Sequence, residues 1–92
     1  MEVTIEYEAQ LRRAAGVRSE TIEMAGGCDV VECVRKVVEN HPDQLSGILL
    51  KADNQIQPSL LIFLNDSQIL HDTTHALSDG DTLTLMTPIS GG

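Results

Sequence analysis

The amino-acid sequence predicts an α+β roll, a mixed sheet with one main helix packed on one face, on three observations. Two stretches near the N-terminus alternate apolar and polar residues. A capped amphipathic helix follows them, and further strand patterns fill the C-terminal third. No internal repeat, low-complexity run or linker divides the chain, so one unit of this class accounts for it.

Residues 2–9 place Val3, Ile5, Tyr7 and Ala9 on one face and Glu2, Thr4, Glu6 and Glu8 on the other. That is a half-buried strand with an acidic outer surface. Arg12-Arg13-Ala14-Ala15-Gly16 breaks the alternation and reads as a connection. Ile22 and Met24 then alternate with Thr21 and Glu23, which makes a second strand and an N-terminal hairpin, ended by Gly26-Gly27. The helix that follows has a marked start. Asp29 is a good N-cap, and Glu32 three residues later completes the likeness to a capping box. Val30, Cys33, Val34, Val37 and Val38 fall at i, i+3, i+4, i+7 and i+8, a single apolar stripe. Valine is a mediocre helix former, so tertiary packing must hold this helix.

Pro42, just after His41, is expected to stop the helix. Residues 43–59 read as a long connection with room for a turn of helix near Ile48-Leu49-Leu50. The unbroken apolar run Leu60-Leu61-Ile62-Phe63-Leu64 is what a strand covered on both faces, or central in its sheet, requires. Asn65-Asp66 turns the chain into a short return strand at Gln68-Ile69-Leu70, and Asp79-Gly80 marks another turn. Thr82-Leu83-Thr84-Leu85-Met86 alternates again as the last strand. Pro88 cannot donate to a ladder and closes it. Residues 1–88 are therefore expected to form the folded domain, and Ile89-Ser90-Gly91-Gly92 (89–92) a flexible C-terminal tail.

Bulk properties narrow the function. A chain this short buries only about two-thirds of the surface it exposes when unfolded, so a deep catalytic cleft is hard to build. With 14 acidic against 6 basic residues, the net charge is −8. That argues against nucleic acid, whose binding needs Lys and Arg to replace condensed counterions. It argues equally against an anionic membrane surface. It suits a basic protein partner, because complementary fields raise the encounter rate. No apolar stretch approaches the roughly 20 residues that span a bilayer. Met1-Glu2-Val3-Thr4 lacks the basic start of a signal peptide, so the cytoplasm is the expected compartment.

The ending Gly91-Gly92 carries the functional signal. Two terminal glycines arise by chance in roughly one chain in two hundred, so the dipeptide informs without deciding. Its chemistry is sharper. A C-terminal carboxylate becomes reactive once its oxygen attacks the α-phosphate of ATP and forms an acyl-adenylate. To do so it must reach into another protein's nucleotide site, and residues without side chains thread a narrow channel. Five residues from Pro88 onward extend about 17 Å. Pro88 fixes φ at the root of that extension.

Strand order, helix position, the Asp79-Gly80-Asp81 turn and the ending Pro88-Ile89-Ser90-Gly91-Gly92 together resemble the ubiquitin-like β-grasp sulfur carriers. That family includes the small subunit of molybdopterin synthase (MoaD), the thiamine sulfur carrier (ThiS) and archaeal ubiquitin-like modifiers. The opening Tyr7-Glu8-Ala9-Gln10-Leu11-Arg12-Arg13-Ala14-Ala15-Gly16 is similar to the first strand and turn of MoaD-type members. The resemblance implies a β-grasp fold and a carrier with no catalytic residue of its own. An E1-like adenylyltransferase would activate the Gly92 carboxylate, handling ATP and magnesium itself. A sulfur donor would then make a thiocarboxylate, and the carrier would dock on a sulfur-acceptor enzyme. Gly91 and Ser90 would form the passage behind Gly92. Where MoaD-type sequences place an aromatic pair and two prolines, this chain has Leu85-Met86-Thr87-Pro88. Met86 thus stands at a partner-facing aromatic position, and Glu8 stands where another aromatic is expected. Met86 and Ile89 are expected to anchor the partner, with Glu6 and Glu8 as an acidic surround. Molybdopterin synthesis is the leading pathway. Thiamine or cysteine synthesis, protein modification through Gly92, and a β-grasp interaction domain with an incidental tail are the alternatives.

Other constellations fall away. Cys28 and Cys33 have C-x₄-C spacing, but an iron–sulfur cluster needs four thiolates and the chain has two cysteines. Cys33 lies on the apolar stripe and reads as core. Cys28, just before the helix N-terminus, is placed for a depressed pKa, yet a redox or sulfur-relay role is not the expected one. His71 and His75 are four apart, yet they sit in loop sequence with no third ligand, so no metal site is expected.

Overall fold

The computed structural model, which describes residues 1–70 and 75–87, turns the N-terminal alternation into an antiparallel pair. Strand β1 (Glu2–Tyr7) lies against β2 (Ser19–Glu23), with Val3 opposite Ile22 and Ile5 opposite Glu20. Val3, Ile5 and Tyr7 are fully buried, as the period of two requires. Ala9 does not continue that face. It is exposed, with φ 50° and ψ −120°, in the turn that leads into a helix.

That helix, α1 (Gln10–Ala15), occupies the stretch expected to be a plain connection. It has no capping side chain, and at six residues it is far shorter than a helix that stands alone in water. Packing holds it, through the fully buried Leu11, and Gly16 at φ 80° ends it in the left-handed conformation.

Helix α2 (Val30–Asn40) begins as its sequence dictates. The Asp29 carboxylate accepts the Glu32 N–H at 2.9 Å, and Glu32 in turn accepts the Asp29 N–H at 3.4 Å. Its buried stripe is Val30, Cys33, Val34 and Val37. Pro42 follows the end of α2 but also starts the next helix, α3 (Pro42–Leu49). At the first helical position the missing N–H has no intrahelical partner to lose. A second helix thus replaces much of the expected connection, and its Leu45 and Leu49 are fully buried.

His41 is the joint between the two helices. Its N–H donates to the Val37 and Val38 carbonyls. Its Nε2 lies 2.6 Å from Glu20 Oε2 on β2, an oxygen that also accepts the Tyr7 hydroxyl at 2.6 Å. One carboxylate therefore ties β1 and β2 to the helical layer. Burial, reinforced by Glu20, pushes the Tyr7 phenol above its ordinary value.

The sheet runs β2-β1-β5-β3-β4, with β1 and β5 parallel and the other pairs antiparallel. The centre is β5 (Thr82–Met86), whose Leu83 and Leu85 are fully buried while Thr82, Thr84 and Met86 face outward and are half-buried. Strand β3 (Leu61–Leu64) lies one place in from the edge, and β4 (Ser67–Ile69) returns along it. Asn65 and Asp66, both at positive φ, form the two-residue turn between them. The apolar run in β3 is not covered on both faces. Only Ile62 is buried, and Leu61, Phe63 and Leu64 are half-buried. The run reflects an apolar outer surface rather than a two-sided core.

Asp79-Gly80-Asp81 knits the far end of the sheet. Asp79 Oδ1 accepts the Glu2 N–H at 2.7 Å, and the Asp81 carboxylate accepts from Ser78 N–H at 2.8 Å and Asn65 Nδ2 at 2.9 Å. Among the described residues no helix is long and apolar enough to cross a membrane.

Candidate functional site

Parallel pairing of β1 with β5 decides what surrounds the root of the tail. Thr4 lies beside Thr82, Glu6 beside Thr84 and Tyr7 beside Leu85, and the Glu8 N–H donates to the Leu85 carbonyl at 3.1 Å. The two strands therefore finish together, with Met86 at the end of β5. On the other side of β5, Leu61 lies opposite Met86 and Phe63 opposite Thr84. Directly opposed residues point to the same side of a sheet.

The outer face thus has two halves. Glu2, Glu6 and Glu23 make the β1–β2 half acidic, and Glu8 extends it. Met86, Leu61 and Phe63 make the β5–β3 half apolar. Leu70, 65% exposed, prolongs the apolar half beside a groove of about 180 Å³ lined by Leu60, Leu61, Gln68 and Ile69. Met86 and Glu6 were predicted on this face, and the structure brings them together. Leu61, Phe63 and Leu70 were missed. Splitting the run 60–64 by a period of two would have placed Leu61 and Phe63 outside.

The two predicted carboxylates differ. Glu8 lies 3.6 Å from the Arg12 guanidinium, with both side chains well exposed, so its charge is partly offset locally. Glu6 enters none of the ion pairs formed by the described residues. Pro88, Ile89, Ser90, Gly91 and Gly92 lie outside the described residues, so the expected anchor at Ile89 and reactive end at Gly92 do too. Thr87 is the last residue before them.

Folding raises both cysteine thiols rather than lowering them. Desolvation, followed by the neighbouring Glu32 carboxylate, pushes the Cys28 thiol above its ordinary value, contrary to the depression expected at a helix start. Burial pushes Cys33 up to about 12. Cys28 also sits at the wrong pole. Its carbonyl accepts the Leu77 N–H just ahead of the turn that leads into β5, whereas Met86 is at the other end of that strand. His71 lies outside the described residues. His75 is half-buried, and its carbonyl accepts the Val30 N–H at 3.0 Å. Among the described residues no group of three His, Cys, Asp or Glu side chains is placed to hold a metal ion.

Comparison with known proteins agrees with this geometry. The sequence profile of the ThiS family matches residues 5–92. A molybdopterin synthase sulfur carrier subunit from Chlamydomonas reinhardtii is 26% identical over 92 residues, the whole of both chains. Small archaeal modifier protein 3 from Haloferax volcanii is 27% identical over 94 aligned positions, again covering both chains completely. Among solved structures, SAMP1 from Haloferax volcanii superposes with a TM-score of 0.90 at 24% identity, covering all of both chains. At that identity the superposition establishes the fold, a β-grasp of the ubiquitin-like kind.

Proposed function

Since the chain belongs to the ThiS family of sulfur carriers and ubiquitin-like modifiers, we propose that it is a carrier loaded with sulfur at Gly92. An E1-like adenylyltransferase binds ATP and magnesium, and the Gly92 carboxylate attacks the α-phosphorus, releasing pyrophosphate. A sulfur donor then displaces AMP and leaves a thiocarboxylate. The loaded carrier docks on a sulfur-acceptor enzyme, which in the leading reading is the large subunit of molybdopterin synthase. The observation that carries this reading is that the family match runs through Gly91 and Gly92. The apolar end of the outer face, at Met86 and Leu61, supplies the docking surface next to them. The reading needs neither cysteine as a nucleophile, and folding raises both thiols above their ordinary values. Ile89 extends the apolar anchor, Ser90 and Gly91 thread the partner's channel, and the reaction takes place in the cytoplasm.

The 27% identity to a small archaeal modifier protein favours one further reading, transfer of the activated Gly92 to a lysine amine rather than to a sulfur acceptor. Both readings share the adenylation step, which is where the test falls. Deleting Gly92, or adding one residue after it, is expected to abolish ATP–pyrophosphate exchange by the E1-like enzyme while thermal unfolding stays unchanged. Normal exchange with the extended protein would overturn the carrier reading and leave an interaction domain with an incidental tail.

A further inference from the structure

Two departures from ordinary folding chemistry meet where β1 and β5 end. The first is a buried polar atom. Among the described residues, only Arg35 Nε and Thr87 Oγ1 are buried side-chain atoms without a hydrogen-bond partner. Arg35 still donates from Nη2 to the Asn54 carbonyl at 3.2 Å. Thr87 has no second side-chain polar atom. It is 9% exposed, two residues beyond the inward-facing Leu85, and its hydroxyl has given up water without gaining a partner. Native folds rarely keep such a group, and valine would fill the same space without it.

The second departure is backbone strain. Among the described residues, four other than glycine have positive φ: Ala9, Asn54, Asn65 and Asp66. Asn and Asp tolerate that conformation because their short polar side chains bond locally. Ala9 has no such relief, and its ψ of −120° lies outside the small left-handed region allowed to L-residues. It sits immediately after Glu8, whose N–H is bonded to Leu85. Rule-breaking positions of this kind gather at functional sites.

We propose that Thr87 is a positioning residue for the tail, with a hydroxyl that is hydrogen-bonded only while the activating enzyme holds the chain. This rests on the carrier reading above. Thr87 is the residue directly before Pro88, and Pro88 has no N–H. The Thr87 hydroxyl is therefore the polar handle at a junction whose next peptide offers no donor. Drawing the tail into a partner's channel turns Thr87 away from the sheet without opening β1 from β5. A backbone carbonyl or amide lining the channel then meets the hydroxyl and fixes the angle at which the tail enters. The free protein keeps an unmet group that the activated complex satisfies.

The test compares wild type, Thr87→Val and Thr87→Ser in thermal unfolding and in ATP–pyrophosphate exchange by the E1-like enzyme encoded in the same genome. Thr87→Val is expected to unfold at the same temperature as wild type or higher. Its exchange kcat/KM is expected to fall about tenfold, the loss one well-placed hydrogen bond produces, with most of the fall in kcat. Thr87→Ser keeps the hydroxyl and is expected to restore exchange. If Thr87→Val unfolds below wild type, the hydroxyl is already bonded in the free fold and the inference is wrong. Wild-type exchange by Thr87→Val overturns it equally. Failure of the carrier reading looks different, because wild type itself then supports no exchange.

Discussion

Cys33 shows how position settles a side chain's chemistry. The residue sits on the buried stripe of α2, and burial pushes its thiol from 9.0 to about 12. A group whose value is raised by folding contributes stability that is fully present below its unfolded value and is lost as pH climbs toward the folded one. Wild-type stability is therefore expected to hold up to about pH 9 and to fall between pH 9 and 12, with the Tyr7 phenol acting in the same direction. Cys33→Ser places an ill-satisfied hydroxyl in the core and is expected to cost ~1–3 kcal/mol at pH 7. It also removes the titrating thiol, so its alkaline decline should be shallower than wild type's. Denaturant midpoints from pH 7 to 11 measure both effects. Parallel declines in the two proteins would show that Cys33 is not the group responsible. Cys28, directly ahead of the Asp29 N-cap, loses the benefit of that position to desolvation first and to the Glu32 carboxylate second.

On the proposed reading, the outer face of the sheet is where the elements combine into a docking surface. Met86 from β5 and Leu61 from β3 give the apolar contact, and Glu6 from β1 gives an unpaired acid beside it. Met86→Arg is expected to weaken binding to the E1-like partner about tenfold, mainly through faster dissociation, because it buries a charge in an apolar contact. Glu6→Lys is expected to act on association instead, slowing it and flattening its dependence on salt. Stopped-flow binding at two ionic strengths separates the two. Unchanged dissociation of Met86→Arg would move the docking surface elsewhere. The elements that build this face were largely readable in advance. Strict alternation announced β1 and β5, and the Asp29–Glu32 box announced α2. The misses have physical causes. Helix α1 has neither a cap nor enough length for a periodic stripe, and its start is a strained Ala9. Helix α3 was hidden because proline stops one helix and starts the next equally well. Leu61 and Phe63 were assigned to a core because an unbroken apolar run conceals which residues face out. The unmet hydroxyl of Thr87 leaves no trace in a sequence at all.

On the proposed reading, the assembled molecule is a small body that delivers one reactive end. Parallel pairing brings β1 and β5, from opposite ends of the chain, side by side at the centre of the sheet. The Asp79-Gly80-Asp81 turn fixes the start of β5 through Glu2, and the Tyr7–Glu20–His41 contacts tie the strands to the helices. These contacts fix both ends of the sheet's central strands. A net charge of −8 suits electrostatic steering toward a basic partner. On the proposed reading the chemistry is delegated to the partner, which suits a chain too short to build a deep cleft easily. The most direct measurement is the intact mass of the protein after incubation with the E1-like enzyme, ATP, magnesium and a sulfur donor. A carrier gains the mass difference between one oxygen and one sulfur, and fragmentation places it on Gly92. Unchanged mass in the presence of an active enzyme and donor would contradict the account.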